Sequence, residues 1–233
     1  MNQEFLSTVG KETTVKNKAK ILSVIGILVV LCVGGFLFFR YQHTSPKRLP
    51  DQYGGTIGQI HSASDRDGDG IDDETDILQG ALEYISTRPA YKSRYYQTGY
   101  PDDGYGVCTD VVANALKSAR YDLMTLIQDD IKANPEDYDM DEPDINIDFR
   151  RVQNLKVYFS HTAVSLTTDL SEIEEWQGGD IVIFQKHIGI VSDRRNENGV
   201  PYVIHHNSPW QRAYEQDILE KRDDIVGHYR VSE

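Results

Sequence analysis

The chain has 233 residues, enough for one domain of ordinary size plus appendages. Its formal net charge of −13 at pH 7 is unevenly spread, with a balance of +5 over residues 1–50 and −18 over the remainder. An acidic body of that kind argues against nucleic acid and anionic lipid as partners of the main domain.

The run from Ile21 to Phe39 holds 19 residues without a charge, long enough to cross a bilayer as a helix. It exceeds a typical signal-peptide core, and no small-x-small cleavage site follows it. The expectation is therefore an uncleaved single-span anchor (21–39) behind a cytoplasmic tail (1–20). Four lysines precede the span (Lys11, Lys16, Lys18, Lys20) and three basic residues follow (Arg40, Lys47, Arg48). That bias weakly favours an inside N-terminus. Residues 40–64 are polar, aperiodic and punctuated by Pro46, Pro50, Gly54 and Gly55, as in a linker holding a domain off the membrane.

From Asp65 to Asp76 the chain reads DRDGDGIDDETD. Carboxylates at loop positions 1, 3, 5, 9 and 12 are Asp65, Asp67, Asp69, Asp73 and Asp76, with a turn glycine at Gly70 and a carbonyl ligand at Ile71. Alternating carboxylates around a tight turn can wrap a hard cation in oxygen. The loop resembles the calcium loops of dockerins and thrombospondin type 3 repeats, with Asp where Glu commonly closes the shell. A single short loop of this kind binds weakly, in the roughly 10⁻⁴–10⁻³ M range of extracellular modules. Calcium is thus the expected ion, and the expected compartment lies outside the cytoplasm.

Beyond the loop, Ile77–Ile85 reads as a helix weakened by Gly80, and residues 88–103 as a loop rich in Tyr, Pro and Gly. Cys108 precedes the apolar-periodic Val111–Leu116, so it falls at a helix N-terminus. Unpaired backbone N–H groups there favour a thiolate and can hold an oxyanion. Cys32, the other cysteine, lies in the apolar run, which makes a disulfide between the two implausible. A second amphipathic stretch spans 122–133. Nine acidic residues between Asp129 and Asp148 face a single Lys132, as in a solvated loop. Structure resumes over 146–159.

The last third holds four β-branched runs, at 180–184, 187–192, 201–205 and 225–231, with Asn196–Gly199 as a hairpin turn. Helices followed by an antiparallel meander indicate an α+β domain, here residues 77–233. A thiol at a helix start, His187 opening one strand and His205 closing the next supply the parts of cysteine acyl-transfer chemistry. These are a nucleophile, a base and a group that orients the base. His206 and Asn207 are alternative orienters, and strand alternation puts His205 and His206 on opposite faces. Two other readings use the same residues: a zinc site of Cys108 with these imidazoles, and a non-catalytic, calcium-stabilised surface-binding module.

The segments GVCTDVV (106–112), NIDFRRVQNL (146–155), GDIV (179–182), HIGIVS (187–192) and GHYR (227–230) resemble the bacterial domain of unknown function 1287. That family is related to the NlpC/p60 cysteine peptidases. The resemblance implies a papain-like fold, with Cys108 packed on a sheet that carries His187 and His205. It also implies amide hydrolysis, often of peptidoglycan stem peptides. Two departures stand out: Thr109-Asp110 replaces the Ser-Gly that usually follows the nucleophile, and His205-His206-Asn207 replaces a single His before Asn.

Overall fold

A computed structural model describes residues 3–231 and, within the first helix, the side chains of residues 17, 18 and 20–40. The outermost residues of the tail (1 and 2) and of the domain (232 and 233) lie outside that description. The chain divides into two compact units, Met1–Gln42 and His43–Glu233.

The first unit is one continuous helix, α1 (Gln3–Gln42), which takes in both the tail and the apolar run. Its stretch Lys20–Arg40 is long and apolar enough to cross a membrane, criteria that a signal sequence also meets.

The second unit is α+β. Its helices are α2 (Asp73–Ser86), α3 (Cys108–Ser118), α4 (Leu123–Ala133) and α5 (Val152–Thr162). The strands are β1 (Ala90–Tyr91), β2 (Tyr105–Gly106), β3 (Val164–Ser165), β4 (Ile181–Phe184), β5 (His187–Arg195), β6 (Pro201–Ile204), β7 (Glu215–Gln216) and β8 (Ile225–Arg230). Strands β1 and β2 form a small parallel pair inside the expected 88–103 loop and its end. The main sheet is antiparallel with order β3-β8-β4-β5-β6-β7, so it is not the simple meander expected. Strand β8 returns to the outer side of β4, pairing Val182 with His228.

Both faces of this sheet are covered, which is why β4 reads as unbroken apolar residues rather than as an alternating strand. Ile181, Ile183, Ile188, Ile190 and Ile204 pack against the helices, alongside Val111, Leu116 and Phe159. Val182, Phe184, Val191 and Val203 turn the other way, onto Trp176 and Leu219.

Helix α2 starts four residues earlier than its apolar period suggests, because Asp72 caps it by accepting the Thr75 N–H. Gly80 marks a close approach: a Cβ there would sit 2.0 Å from Ser118 Oγ on α3. A glycine that costs intrinsic helix propensity thus lets two helices touch. The acidic stretch is only partly solvated. Asp148 is fully buried and accepts from Gln128 Nε2 at 2.8 Å and from the Asp144 N–H.

The expected free linker is instead pinned along the domain. Ser45 bridges Ala213, the Gln52 N–H donates to Arg195 O, and Tyr202 Oη donates to Pro50 O. Arg48 donates to Ser192 Oγ, to Asp193 and to the buried Glu215. Polar composition describes this segment correctly. Its order comes from partners about 145–167 residues away in sequence.

Candidate active site

Cys108 is the first residue of α3, as its position before an apolar period requires. The preceding N-cap, Val107, has no side-chain oxygen to satisfy the first turn. Asp110 takes over part of that task, its Oδ2 accepting the Val107 N–H at 2.8 Å. Backbone N–H groups of Ile188 on β5, Thr109 and Cys108 itself lie close enough to the half-buried sulfur to favour its thiolate. Ile188 lies just before the β5–β6 pairing begins at Ile190. The sulfur thus lies near Ile188, the residue after His187, with no hydrogen bond between thiol and imidazole among the described residues.

Burial overrides the effect expected of a helix N-terminus. It pushes the Cys108 thiol up to about 11, although these three N–H groups act in the opposite direction. The resting sulfur is therefore a neutral thiol, and the expectation of a depressed thiol pKa is corrected. Packed against the apolar core and half-buried, the side chain loses part of the water that would solvate a thiolate.

His187 opens β5 and His205 directly follows β6. His187 Nε2 and His205 Nδ1 lie 2.8 Å apart, one ring donating and the other accepting. Gly189 makes this approach possible: a Cβ there would lie 2.5 Å from Val203 Cγ1 and 3.2 Å from the His205 Cβ. With Nε2 engaged, Nδ1 is the His187 nitrogen left for a thiol. Burial, then nearby Arg222, lowers His187 to about 4. Burial, then His187 itself, holds His205 well below its usual range. Both rings are thus neutral at pH 7.

His206 points to the opposite face, edge-on to Tyr91 and Tyr214 with ring centroids 5.2 and 5.0 Å away. Neither of its nitrogens has a hydrogen-bond partner among the described residues. Asn207 is exposed, and its backbone N–H donates to Gln211. Of the three alternative orienters, only His205 reaches His187. Cys108 and the imidazoles do not bring three ligand atoms within 4.8 Å of one another, so no zinc shell is preformed among the described residues.

The acidic loop places ligand atoms of Asp65, Asp67 and Asp69 within 4.8 Å of one another. Backbone N–H groups of Gly68, Asp69 and Gly70 donate to Asp65, curling the loop around it. Asp76 is buried, and burial followed by the charges of Asp69, Asp67, Asp73 and Asp65 raises it to about 6. Asp73 is turned elsewhere: its carboxylate accepts from Ser64 Oγ, the Arg66 N–H and Tyr121 Oη. The Ile71 N–H donates to Asp69, and Ile71 is partly exposed at the loop's end.

Two buried ionic groups escaped the residue-by-residue reading, although the matched segments contain them. Arg150 grips Asp110 beside the thiol. On the sheet, Asp180 accepts from Arg230 and hydrogen-bonds His228, whose ring stacks on Trp176 at 3.8 Å. The GDIV and GHYR segments therefore meet in a buried cluster on β4 and β8, not at the thiol.

The family described as "Domain of unknown function (DUF1287)" matches residues 78–231. The chain is also 37% identical over 167 residues to the uncharacterized protein YijF of Escherichia coli (strain K12), covering 66% of this chain and 80% of that protein. No solved structure matches it.

Proposed function

For a chain that belongs to the DUF1287 family, we propose a cysteine amidase or peptidase, membrane-anchored and extracytoplasmic, acting on cell-wall peptides through Cys108, His187 and His205. The observation that carries this reading is the 2.8 Å imidazole pair, held at the start of β5 next to Ile188, whose N–H lies near the Cys108 sulfur.

Because thiol and imidazoles rest neutral, the step is general-base catalysis rather than attack by a preformed thiolate. His187 Nδ1 takes the thiol proton as the sulfur–carbon bond forms at the substrate carbonyl. His205 holds the ring in register and disperses the new positive charge. Backbone N–H groups at the head of α3 are suited to the oxyanion. The proton then passes to the departing amine, and water hydrolyses the thioester. A papain-like arrangement, with a helix bearing the thiol against a sheet bearing the base, accommodates this sequence of steps.

The acidic loop is proposed as a structural calcium site at the entry to α2. Asp65, Asp67, Asp69 and Asp76 are the carboxylates, and the Ile71 carbonyl completes the set. Asp73 would contribute only through a bridging water, given its present partners. Calcium of extracellular abundance and the lysines before the apolar run both favour a domain outside the bacterial cell membrane, with the N-terminus inside. A second reading, a non-catalytic surface-binding module, draws on the raised pKa of the half-buried thiol.

The test uses full-length Cys32→Ser protein, so that Cys108 is the sole thiol. Muropeptide cleavage should vanish in Cys108→Ser and fall about 10²–10⁴-fold in His187→Ala. Cys108 alkylation should also slow in His187→Ala. An alkylation profile indifferent to His187 would sink the enzyme reading and leave the module.

A further inference from the structure

We propose that Asp110 and Arg150 are positioning residues of the thiol site, a buried pair that fixes the head of α3 and the segment facing it. This rests on Cys108 being the reactive thiol. Asp110 is fully buried, and Arg150 is 8% exposed. Arg150 Nε donates to Asp110 Oδ1 at 2.7 Å and Nη2 donates to Oδ2 at 3.0 Å, a two-pronged grip. Its remaining arm, Nη1, donates to Arg94 O at 2.7 Å, and the guanidinium lies 5.0 Å from the Tyr96 ring centroid.

One side chain thus ties together three segments. They are the first turn of α3, the 90–106 stretch that holds β1 and β2, and the 3-10 turn Asp148–Arg150 that bears it. The 90–106 stretch includes Tyr91, whose phenol lies close enough to Cys108 to feel the charge of its thiolate. Valine at the N-cap offers no oxygen, so the first turn of α3 relies on Asp110 reaching back to the Val107 N–H. Asp110 in turn is held in place, fully buried, by the two-pronged grip of Arg150. The Cys108 and Thr109 N–H groups at the sulfur belong to that same turn. If the turn loosened, they would point away from the sulfur. Lysine could keep the charge at position 150 but cannot span both Asp110 oxygens and Arg94 O.

Arg150→Lys, in the full-length Cys32→Ser protein, separates positioning from mere stability. At temperatures where the variant is folded by circular dichroism, alkylation of Cys108 by iodoacetamide should be about threefold slower or more below the profile's midpoint. The midpoint itself should move to higher pH. A lowered melting temperature with an unchanged pH profile would reduce the pair to a structural ion pair and overturn the proposal.

Should Arg150→Lys fail to fold, amide exchange in the protein with native Arg150 decides instead. The Val107 and Asp110 amides should exchange as slowly as the middle of α3. Exchange as fast as the exposed Glu197–Asn198 turn would refute the clamp. Failure of this proposal differs from failure of the nucleophile–base reading, because that reading depends on His187→Ala and not on Arg150.

Discussion

Replacing Asp76 by asparagine tests the calcium proposal most directly. Without a cation, the Asp76 carboxylate is 9% exposed and rises from 3.8 to about 6. A raised carboxylate pKa means the folded state holds the proton more tightly than the unfolded chain. Its contribution to stability is therefore full below pH 3.8 and is lost as pH rises through 6. Taken whole, the shift corresponds to about 3 kcal/mol, and solvent screening of the exposed Asp65, Asp67 and Asp69 charges reduces it to about 1–2 kcal/mol. In chelator at pH 7.5, Asp76→Asn should consequently melt higher than the native sequence, by about 2–8 °C for a domain of this size.

Calcium should reverse the order. Saturation at about 100 times Kd adds about 2.7 kcal/mol, or about 5–11 °C, to the native protein, because the cation neutralises the repulsion that penalises Asp76. The asparagine variant should gain little. The calcium effect should also shrink as pH falls through 6, where a proton competes for Asp76. Differential scanning calorimetry with and without calcium reads all of these outcomes. If Asp76→Asn melts lower than the native protein in chelator, or if calcium raises both proteins equally, Asp76 is not part of a cation site.

Acid should destabilise the domain through its neutral imidazoles. His187 and His206 are each lowered to about 4 by burial, so their contribution is present above 6.5 and is lost as pH falls from 6.5 towards 4. The limiting slope is about 1.4 kcal/mol per pH unit for each ring. His206→Leu should flatten the decline in melting temperature between pH 6.5 and 4.5, and an equally steep decline would show that His206 is not buried neutral. Arg48→Ala leaves Glu215 buried with fewer donors and should cost about 1–3 kcal/mol. Residues 45–55 should then become sensitive to limited proteolysis, while ready cleavage there with Arg48 intact would mean the segment is not docked.

Much of this protein is legible in its local sequence. The apolar run dictates a long helix, the period of Val111–Leu116 puts Cys108 at a helix start, and β-branched runs mark the four longer strands. Hydrophobic spacing and turn chemistry act over a few residues, so they can be read there. Strand alternation separates His205 from His206, since faces are fixed by a period of two, but only the folded sheet shows that His205 is the one that meets His187.

Other features depend on partners far along the chain. Gly80 weakens a helix when read alone, yet Ser118 makes it necessary. The 40–64 stretch reads as a linker because partners of its polar groups, among them Ser192, Arg195 and Glu215, lie far along the chain. The insertion of β8 beside β4 and the Asp110–Arg150 grip join residues about 40 positions apart. The thiol illustrates the division most sharply. A helix N-terminus favours a thiolate, but partial desolvation against the folded core opposes it more strongly. Burial is set by which segments pack together, and no local pattern encodes it.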